Sequence, residues 1–358
     1  MRRGWLQPPT QAMLTASEAL KRIRLGELVF EPFQMRVDET ATGTKEGAPD
    51  WRLSLEWAGS AHRFAVEYRS QATPKGLTAA IAQAEAVAGS ELPMVMAPYL
   101  GPDALDRLLE RSVSGIDFSG NGLVIVPGQW LVLRTGSQNR YPDSKPIKAV
   151  YSGTSSLVGR VLLLRREFPQ LKAIQEEIAG RGGEISLGTV SKVVRALEED
   201  LVVVRDPAIR TVQPTQLLDR LVNGYQRPAV DREVDLRVPD VPRALHLLSA
   251  RADELGVRLV VQGEDRYLVA PTSHDRVEIY VDSIQRLLDA LDFEAGSAFP
   301  NLILRQTGDQ RVYFDRRRTG GIPYAPPLQL YLELASGGKR EREVASQLRD
   351  DLLEYRYS

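Results

Sequence analysis

The sequence predicts a multidomain α/β protein. Three observations predict it. Residues 1–148 alternate strand-like and helix-like apolar periods, residues 149–225 are helical around one glycine-rich turn, and residues 226–358 mix both periods again. The polar stretch Ser137–Ser144 and the charged, proline-containing stretch Gln226–Asp240 read as the linkers between them. A chain of 358 residues fits two or three domains, and 43% hydrophobic with 26% charged residues is ordinary for packed cores.

The first segment has the order helix–strand–strand–strand–helix–strand. Leu28–Val37 is read as a strand. Trp51–Trp57 and Phe64–Tyr68 alternate with the two-residue period of a half-buried hairpin. The alanine-rich Lys75–Ala88 is helical, Met94–Ala97 is a short buried strand, and proline at the head of Pro102–Arg111 opens another helix. Leu123–Val126 and Trp130–Leu133 form a hairpin turning at Pro127-Gly128, while Gly120-Asn121-Gly122 is a turn and not a phosphate loop, because no Lys-Ser/Thr follows it.

The second segment carries the strongest pattern. Helices are expected over Ser156–Glu167 and Leu171–Ala179, the latter with Leu171, Ile174 and Ile178 three and four residues apart. The turn Gly180-Arg181-Gly182-Gly183 follows, and then a helix that Ser186 caps with its hydroxyl. Val190, Val193, Val194 and Leu197 form its apolar stripe. Thr189, Ser191, Lys192 and Arg195 fall off the stripe, and hydroxyls and long cations reach phosphates and base edges. Leu201–Arg205 and Ile209–Gln213 then make a hairpin around Asp206-Pro207-Ala208, with Arg205 and Arg210 near its tip. Two helices, a tight turn and a basic second helix have the docking geometry of a winged helix-turn-helix on duplex DNA. The DNA-contact set is Arg181, Ser186, Thr189, Ser191, Lys192, Arg195, Arg205 and Arg210. Asp200 runs directly into Leu201, where such regulators usually place glycine.

In the last segment helices are expected over Pro242–Leu255 and Ser283–Leu291 and from about Pro327. Strands are expected at Val257–Gln262, Tyr267–Ala270, Asn301–Arg305 and Gln310–Phe314. Pro323–Pro327 followed by Leu328, Leu330, Tyr331 and Leu334 reads as a turn into a core helix. The run Arg316-Arg317-Arg318 before Gly320-Gly321 reads first as a solvated loop, with contact to phosphate as the alternative.

Composition narrows the chemistry. With no cysteine there is no disulfide frame, thiolate zinc site or cysteine nucleophile. His62, His246 and His274 lack metal-ligand spacing. The formal charge of −1 is spread evenly: 17 basic and 16 acidic residues in 1–150, then 10 and 9 in 151–225. A nucleic-acid surface must therefore come from local placement. No stretch has the length of a signal peptide or membrane span, so a soluble, cytoplasmic protein without membrane partners is expected.

The first segment also resembles the PD-(D/E)XK restriction-endonuclease-like fold. Pro49-Asp50 opens one strand, Glu67-Tyr68-Arg69 ends the next 17 residues later, and a helix with Gln83 follows. The active form uses Asp50 and Glu67 as Mg²⁺ ligands, with a lysine at the position of Arg69. A guanidinium cannot serve as a base. The catalytic triplet Asp50, Glu67, Arg69 therefore reads against an active nuclease, and no other cofactor is expected.

Three stretches together resemble one family: PMVMAPYLGPDALDRLLERSVSGIDFSGNGLVIVPG at 93–128, the helix-turn-helix SLGTVSKVVRALEEDLVV, and GGIPYAPPLQLYLELASGGKREREVASQLRDDLL at 320–353. The chain looks like the AbiEi-type antitoxin and transcriptional-regulator family of type IV toxin–antitoxin systems, in its long form. The resemblance implies a restriction-endonuclease-like domain at 1–148, a central winged helix at 149–225 and an antitoxin-like α+β domain at 226–358. It also implies autoregulation of a toxin–antitoxin or defence operon as a homodimer on double-stranded DNA, and antagonism of a cognate nucleotidyltransferase-like toxin. In the shorter antitoxins the winged helix is N-terminal, whereas here it is central. The competing expectations are a Mg²⁺-dependent nuclease and a scaffold of a multi-component defence complex.

Overall fold

The computed structural model describes residues 14–40, 48–141, 150–165, 167–262, 276–288 and 299–355. It is a mixed α/β multidomain structure with three sheets. The chain divides into two compact units, residues 1–148 with 199–201, and residues 149–198 with 202–358. Among the described residues no helix is long and apolar enough to cross a membrane.

The first unit opens with α1 (Ala16–Arg24), whose start is fixed by a capping box between Thr15 and Glu18. Strands β1 (Gln34–Thr40), β2 (Trp51–Trp57) and β3 (Ser60–Tyr68) form an antiparallel meander. Helix α2 (Pro74–Val87) carries the chain to β4 (Leu92–Ala97), parallel to β3, and α3 (Pro102–Glu110) to β5 (Ser114–Asp117), parallel to β4. The antiparallel β6 (Gly122–Val126) and β7 (Trp130–Arg134) complete a seven-stranded sheet in which spatial order equals chain order. Both faces are covered. Met94 and Met96 join an aromatic-rich core with Phe30, Trp51 and Phe64, while Val95 and Ala97 between them pack with Leu77, Ile81 and Leu108 of the helices.

Two departures from sequence expectation have clear causes. The expected strand at Leu28–Val37 begins only at Gln34, because Pro32 supplies no ladder donor and the chain turns between the bridging Phe30 and Phe33. Strand β5 escapes sequence patterning because its Ser-Gly-Ile-Asp holds a single large apolar residue. Gly115 leaves the room that Leu108 and Leu100 fill; a Cβ there would lie 2.5 Å from Leu108.

The second unit begins with α4 (Ser156–Leu164), β8 (Glu167–Phe168), α5 (Leu171–Gly180), α6 (Leu187–Glu199), β9 (Val203–Arg205), β10 (Ile209–Thr211) and α7 (Pro214–Gly224). The three strands form a small antiparallel sheet in the order β8-β10-β9. Next come β11 (Arg232–Leu236), α8 (Val241–Leu255), β12 (Leu259–Val261), β13 (Val277–Val281), α9 (Ile284–Leu288), β14 (Leu302–Gln306), β15 (Arg317–Thr319), β16 (Ile322–Tyr324), α10 (Pro327–Ala335) and α11 (Lys339–Tyr355). Their six strands are ordered β11-β14-β13-β12-β16-β15. The expected linker Gln226–Asp240 contains β11, an edge strand whose Arg232, Glu233 and Asp235 disguise it as a polar connection. Gln310–Phe314, expected as a strand, is a 3₁₀ turn, because the Asp309 carboxylate accepts from the Arg311 backbone and clamps the Arg311 guanidinium. The expected strand Tyr267–Ala270, His274, and residues 289–291 of the expected helix lie outside the described residues.

Helices α4–α7 share one core with the end of the chain. Val158, Ile174, Val194 and Leu217 are buried together with Phe314, Leu328, Tyr331, Leu332 and Leu348. The expected core role of the helix after Pro327 is thus observed, and residues more than a hundred positions apart close one hydrophobic interior.

Candidate functional site

The local structure around α6 follows from three small residues. Gly182 adopts φ +81°, which the turn between α5 and α6 requires and which an L side chain adopts at a cost. Gly183 is needed for a different reason: a Cβ there would lie 2.8 Å from Ile178, 3.0 Å from Phe314 and 3.1 Å from Leu157. Ser186 then caps α6, its Oγ accepting from the Thr189 backbone N–H at 3.2 Å and lying 2.9 Å from Thr189 Oγ1.

Val190, Val193, Val194 and Leu197 bury the inner stripe of α6, and Ala196 is buried with them. Lys192 and Arg195 are exposed on the outside. Neither has a hydrogen-bond or ion-pair partner among the described residues. Ser191 and Thr189 are half-buried at the flanks. Leu201 takes φ +59° directly after the helix, the left-handed conformation at the point where the sequence lacks glycine.

The other expected contact residues divide. Arg205, at the end of β9, is exposed with a long ion pair to Glu198 at 3.8 Å, and Arg210 on β10 is exposed with one bond to the Asp206 carbonyl at 3.1 Å. Both flank the Asp206–Ala208 turn. Arg181 is instead held in the fold, 2.7 Å from Glu177 and 2.6 Å from Asp315, and these carboxylates hold its guanidinium above the ordinary arginine range despite partial burial. It pins the turn and is not free for a ligand.

The second candidate cluster lies at the ends of β2 and β3. The Asp50 carboxylate accepts from the Tyr68 backbone N–H at 2.8 Å, which ties the residue before β2 to the end of β3. Glu67 is fully buried, with Oε2 3.3 Å from Arg69 Nη1 and with Oε1 lacking a hydrogen-bond partner among the described residues. Burial, reinforced by the Asp50 carboxylate, pushes the Glu67 carboxyl up to about 7 against the opposing pull of Arg69 and Gln83. Arg69 also donates to Gln83 at 2.9 Å and to the Tyr68 carbonyl at 2.8 Å. The structure therefore brings Asp50, Glu67, Arg69 and Gln83 together, with the cation turned inward onto its own carboxylate. Among the described residues no group of three or more histidine or acidic side chains is placed to hold a metal; Asp50 and Glu67 make two.

Sequence reading missed two buried polar centres. Asp117 accepts from the backbone N–H groups of Leu100, Ser119, Gly120 and Asn121 and from the Asn121 side chain. It builds the Gly120–Gly122 turn. In the second unit, buried Arg160 donates to Gln329 at 2.7 Å; Gln329 donates to Glu333 and to the Tyr225 hydroxyl, each at 2.9 Å. Burial pushes Glu333 up to about 7 and Arg160 down to about 10. The available signal was Gln329 and Glu333, four residues apart within an otherwise apolar helix.

No family model, curated protein or solved structure matches this chain.

Proposed function

We propose that this chain is a DNA-binding transcriptional regulator in which α4–α7 and β8–β10 form a winged helix-turn-helix, α6 is the recognition helix and the β9–β10 hairpin is the wing. The observation that carries the reading is the pair Lys192 and Arg195, exposed and without a partner among the described residues, on a helix whose opposite stripe is fully buried. In a chain where many arginines are spent on neighbouring carboxylates, two free cations at i and i+3 on one rigid helix are suited to phosphates and base edges. The resemblance to AbiEi-type antitoxins extends the reading to a dimer on its own operator that controls a toxin–antitoxin or defence operon. Fluorescence anisotropy on duplex DNA from immediately upstream of the coding sequence tests this. Lys192→Ala and Arg195→Ala are each expected to weaken binding by ~1–3 kcal/mol. Unchanged affinity in both variants overturns the reading.

A second reading has its own support. The β1–β2–β3 meander, α2 and parallel β4 suit a restriction-endonuclease-like domain, and the orphaned Oε1 of Glu67 beside Asp50 suits a divalent cation. Asp50 and Glu67 would hold Mg²⁺, which supplies Lewis-acid activation of water. Arg69 is fitted to bind phosphate but not to take a proton. Cleavage of DNA or RNA with Mg²⁺ or Mn²⁺ that Glu67→Ala abolishes favours the nuclease; no cleavage under either metal leaves the regulator.

A further inference from the structure

We propose that the β15–β16 hairpin is a second DNA contact, gripping backbone phosphates that flank the half-site read by α6. This rests on the DNA-binding reading above. The hairpin is the edge of the six-stranded sheet, and β15 is exposed along its whole length. Arg316, which donates to the Leu259 carbonyl at 3.4 Å, leads into Arg317 and Arg318 on β15, and the hairpin turns at two glycines, Gly320 and Gly321 at φ +57° and +85°, so its tip has no side chains. A duplex backbone can approach such a tip closely.

The cations are available. The Arg317 and Arg318 side chains are 43% and 44% exposed. Arg318 lies 2.6 Å from Asp253, itself 53% exposed, and donates its other terminal nitrogen to the Gly321 carbonyl at 2.8 Å, while Arg317 reaches only 3.8 Å from Asp315. The Arg318–Asp253 pair is exposed on both sides, contributes little and is screened by salt, so a phosphate can replace that carboxylate; the Asp315 carboxylate is largely buried and taken by Arg181, which leaves Arg317 only a distant contact. The exposed side chains of the hairpin are three arginines and a threonine; Ile322 and Tyr324 are buried. Without an exposed apolar or aromatic anchor the surface suits a polyanion and not a protein partner.

The hairpin is also fixed beside the turn into α6. The Asp315 backbone N–H donates to the Arg181 carbonyl at 2.9 Å, and the Asp315 carboxylate holds the Arg181 guanidinium at 2.6 Å. Phe314, one residue earlier, is buried in the core of α4–α7 against the space that Gly183 leaves. At most ~18 Å of chain separates Arg181 from the α6 cap at Ser186, and ~7 Å separates Asp315 from Arg317. The N-terminal end of α6 and the arginine hairpin thus lie within about one duplex turn, ~34 Å, of each other. Arg181 is the strut that joins them, which explains why the arginine of the turn is held in ion pairs.

The test is a salt titration of binding, using anisotropy on a long labelled duplex from immediately upstream of the coding sequence and on a version trimmed to the α6 half-site. For Arg317→Ala/Arg318→Ala, the slope of log affinity against log salt is expected to fall by roughly 2 and affinity for the long duplex by about 10-fold. On the trimmed duplex this variant should match the wild type, and Arg317→Lys/Arg318→Lys should retain the slope. Equal melting temperatures verify that the exposed changes leave the fold intact. An unchanged slope and affinity for the alanine variant, while Lys192→Ala loses binding, overturns the hairpin contact alone. Wild-type protein that shows no salt-dependent binding to either duplex overturns both the hairpin contact and the regulator reading.

Discussion

Helix α6 and the ends of β2 and β3 each present cationic and polar side chains, but they dispose of charge in opposite ways. On α6 the apolar stripe faces the core, and Lys192 and Arg195 are left in water without partners among the described residues. At the strand ends, the carboxylate of Glu67 is the buried group and Arg69 bends back to it and to Gln83. A free cation costs nothing to keep in solvent and remains available to a ligand. A buried carboxylate is expensive, and that expense shows as the raised pKa of Glu67 and is offset in part by the guanidinium of Arg69. The difference separates a surface ready to bind from a site that has already satisfied much of its own charge.

The largest effect that would break this comparison is on binding. The double variant Lys192→Ala/Arg195→Ala should lose roughly 30-fold or more in duplex affinity, taking ~1–3 kcal/mol per side chain, with an unchanged thermal melt. A variant that melts lower would show that the two side chains also serve the fold.

Acid titration of stability probes the opposite pole. The Glu67 carboxyl is raised to about 7 in the fold from an ordinary value near 4.5, so the folded state holds a proton there that the unfolded chain releases. Its contribution is fully present below about pH 4.5 and is lost as pH rises through about 7. Denaturant melts of the wild type against Glu67→Gln should show this component disappear in the variant, an effect on the order of 1–3 kcal/mol across that window. The same window applies to Glu333, also raised to about 7, so Glu333→Gln provides a second, independent reading in the other unit.

The turn that presents α6 can be attacked directly. Gly183→Ala introduces a Cβ 2.8 Å from Ile178, and overpacking of this kind should cost about 1–3 kcal/mol by chemical denaturation. A loss well below that range would mean that Phe314 and Leu157 yield easily. The smallest expected change is a gain. Leu201 sits at φ +59° after α6, and Leu201→Gly should stabilise by up to about 1 kcal/mol, read as a higher midpoint in urea.

Much of the segment from α4 to α7 was legible because its signals are local. The 3–4 spacing of Val190, Val193, Val194 and Leu197, the hydroxyl of Ser186 and the positive φ of Gly182 each depend on neighbours within a few residues, and each stands in the fold as the pattern implied, whereas the need for Gly183 comes in part from the distant Phe314. The role of Arg181 was not legible. Its partner Asp315 lies 134 positions away, and no local pattern distinguishes a strut from a free cation. Strand β11 was hidden for a related reason: an edge strand keeps polar side chains in water, so its composition is that of a linker until β14 supplies the hydrogen-bond partner.

By itself, then, the sequence determined where α2, α3 and most of the sheet strands of the first unit run, which stripe of α6 is apolar, and which residues at the ends of β2 and β3 have the identity to meet. Tertiary structure alone decided which charges are spent and which are free, that the last two helices complete the core around α4–α7, and that the arginine hairpin stands beside the turn into α6. The physical reason is range. Helical and strand periodicity is written in neighbouring residues, whereas burial, pairing and desolvation depend on groups that only the folded chain brings within a few ångströms.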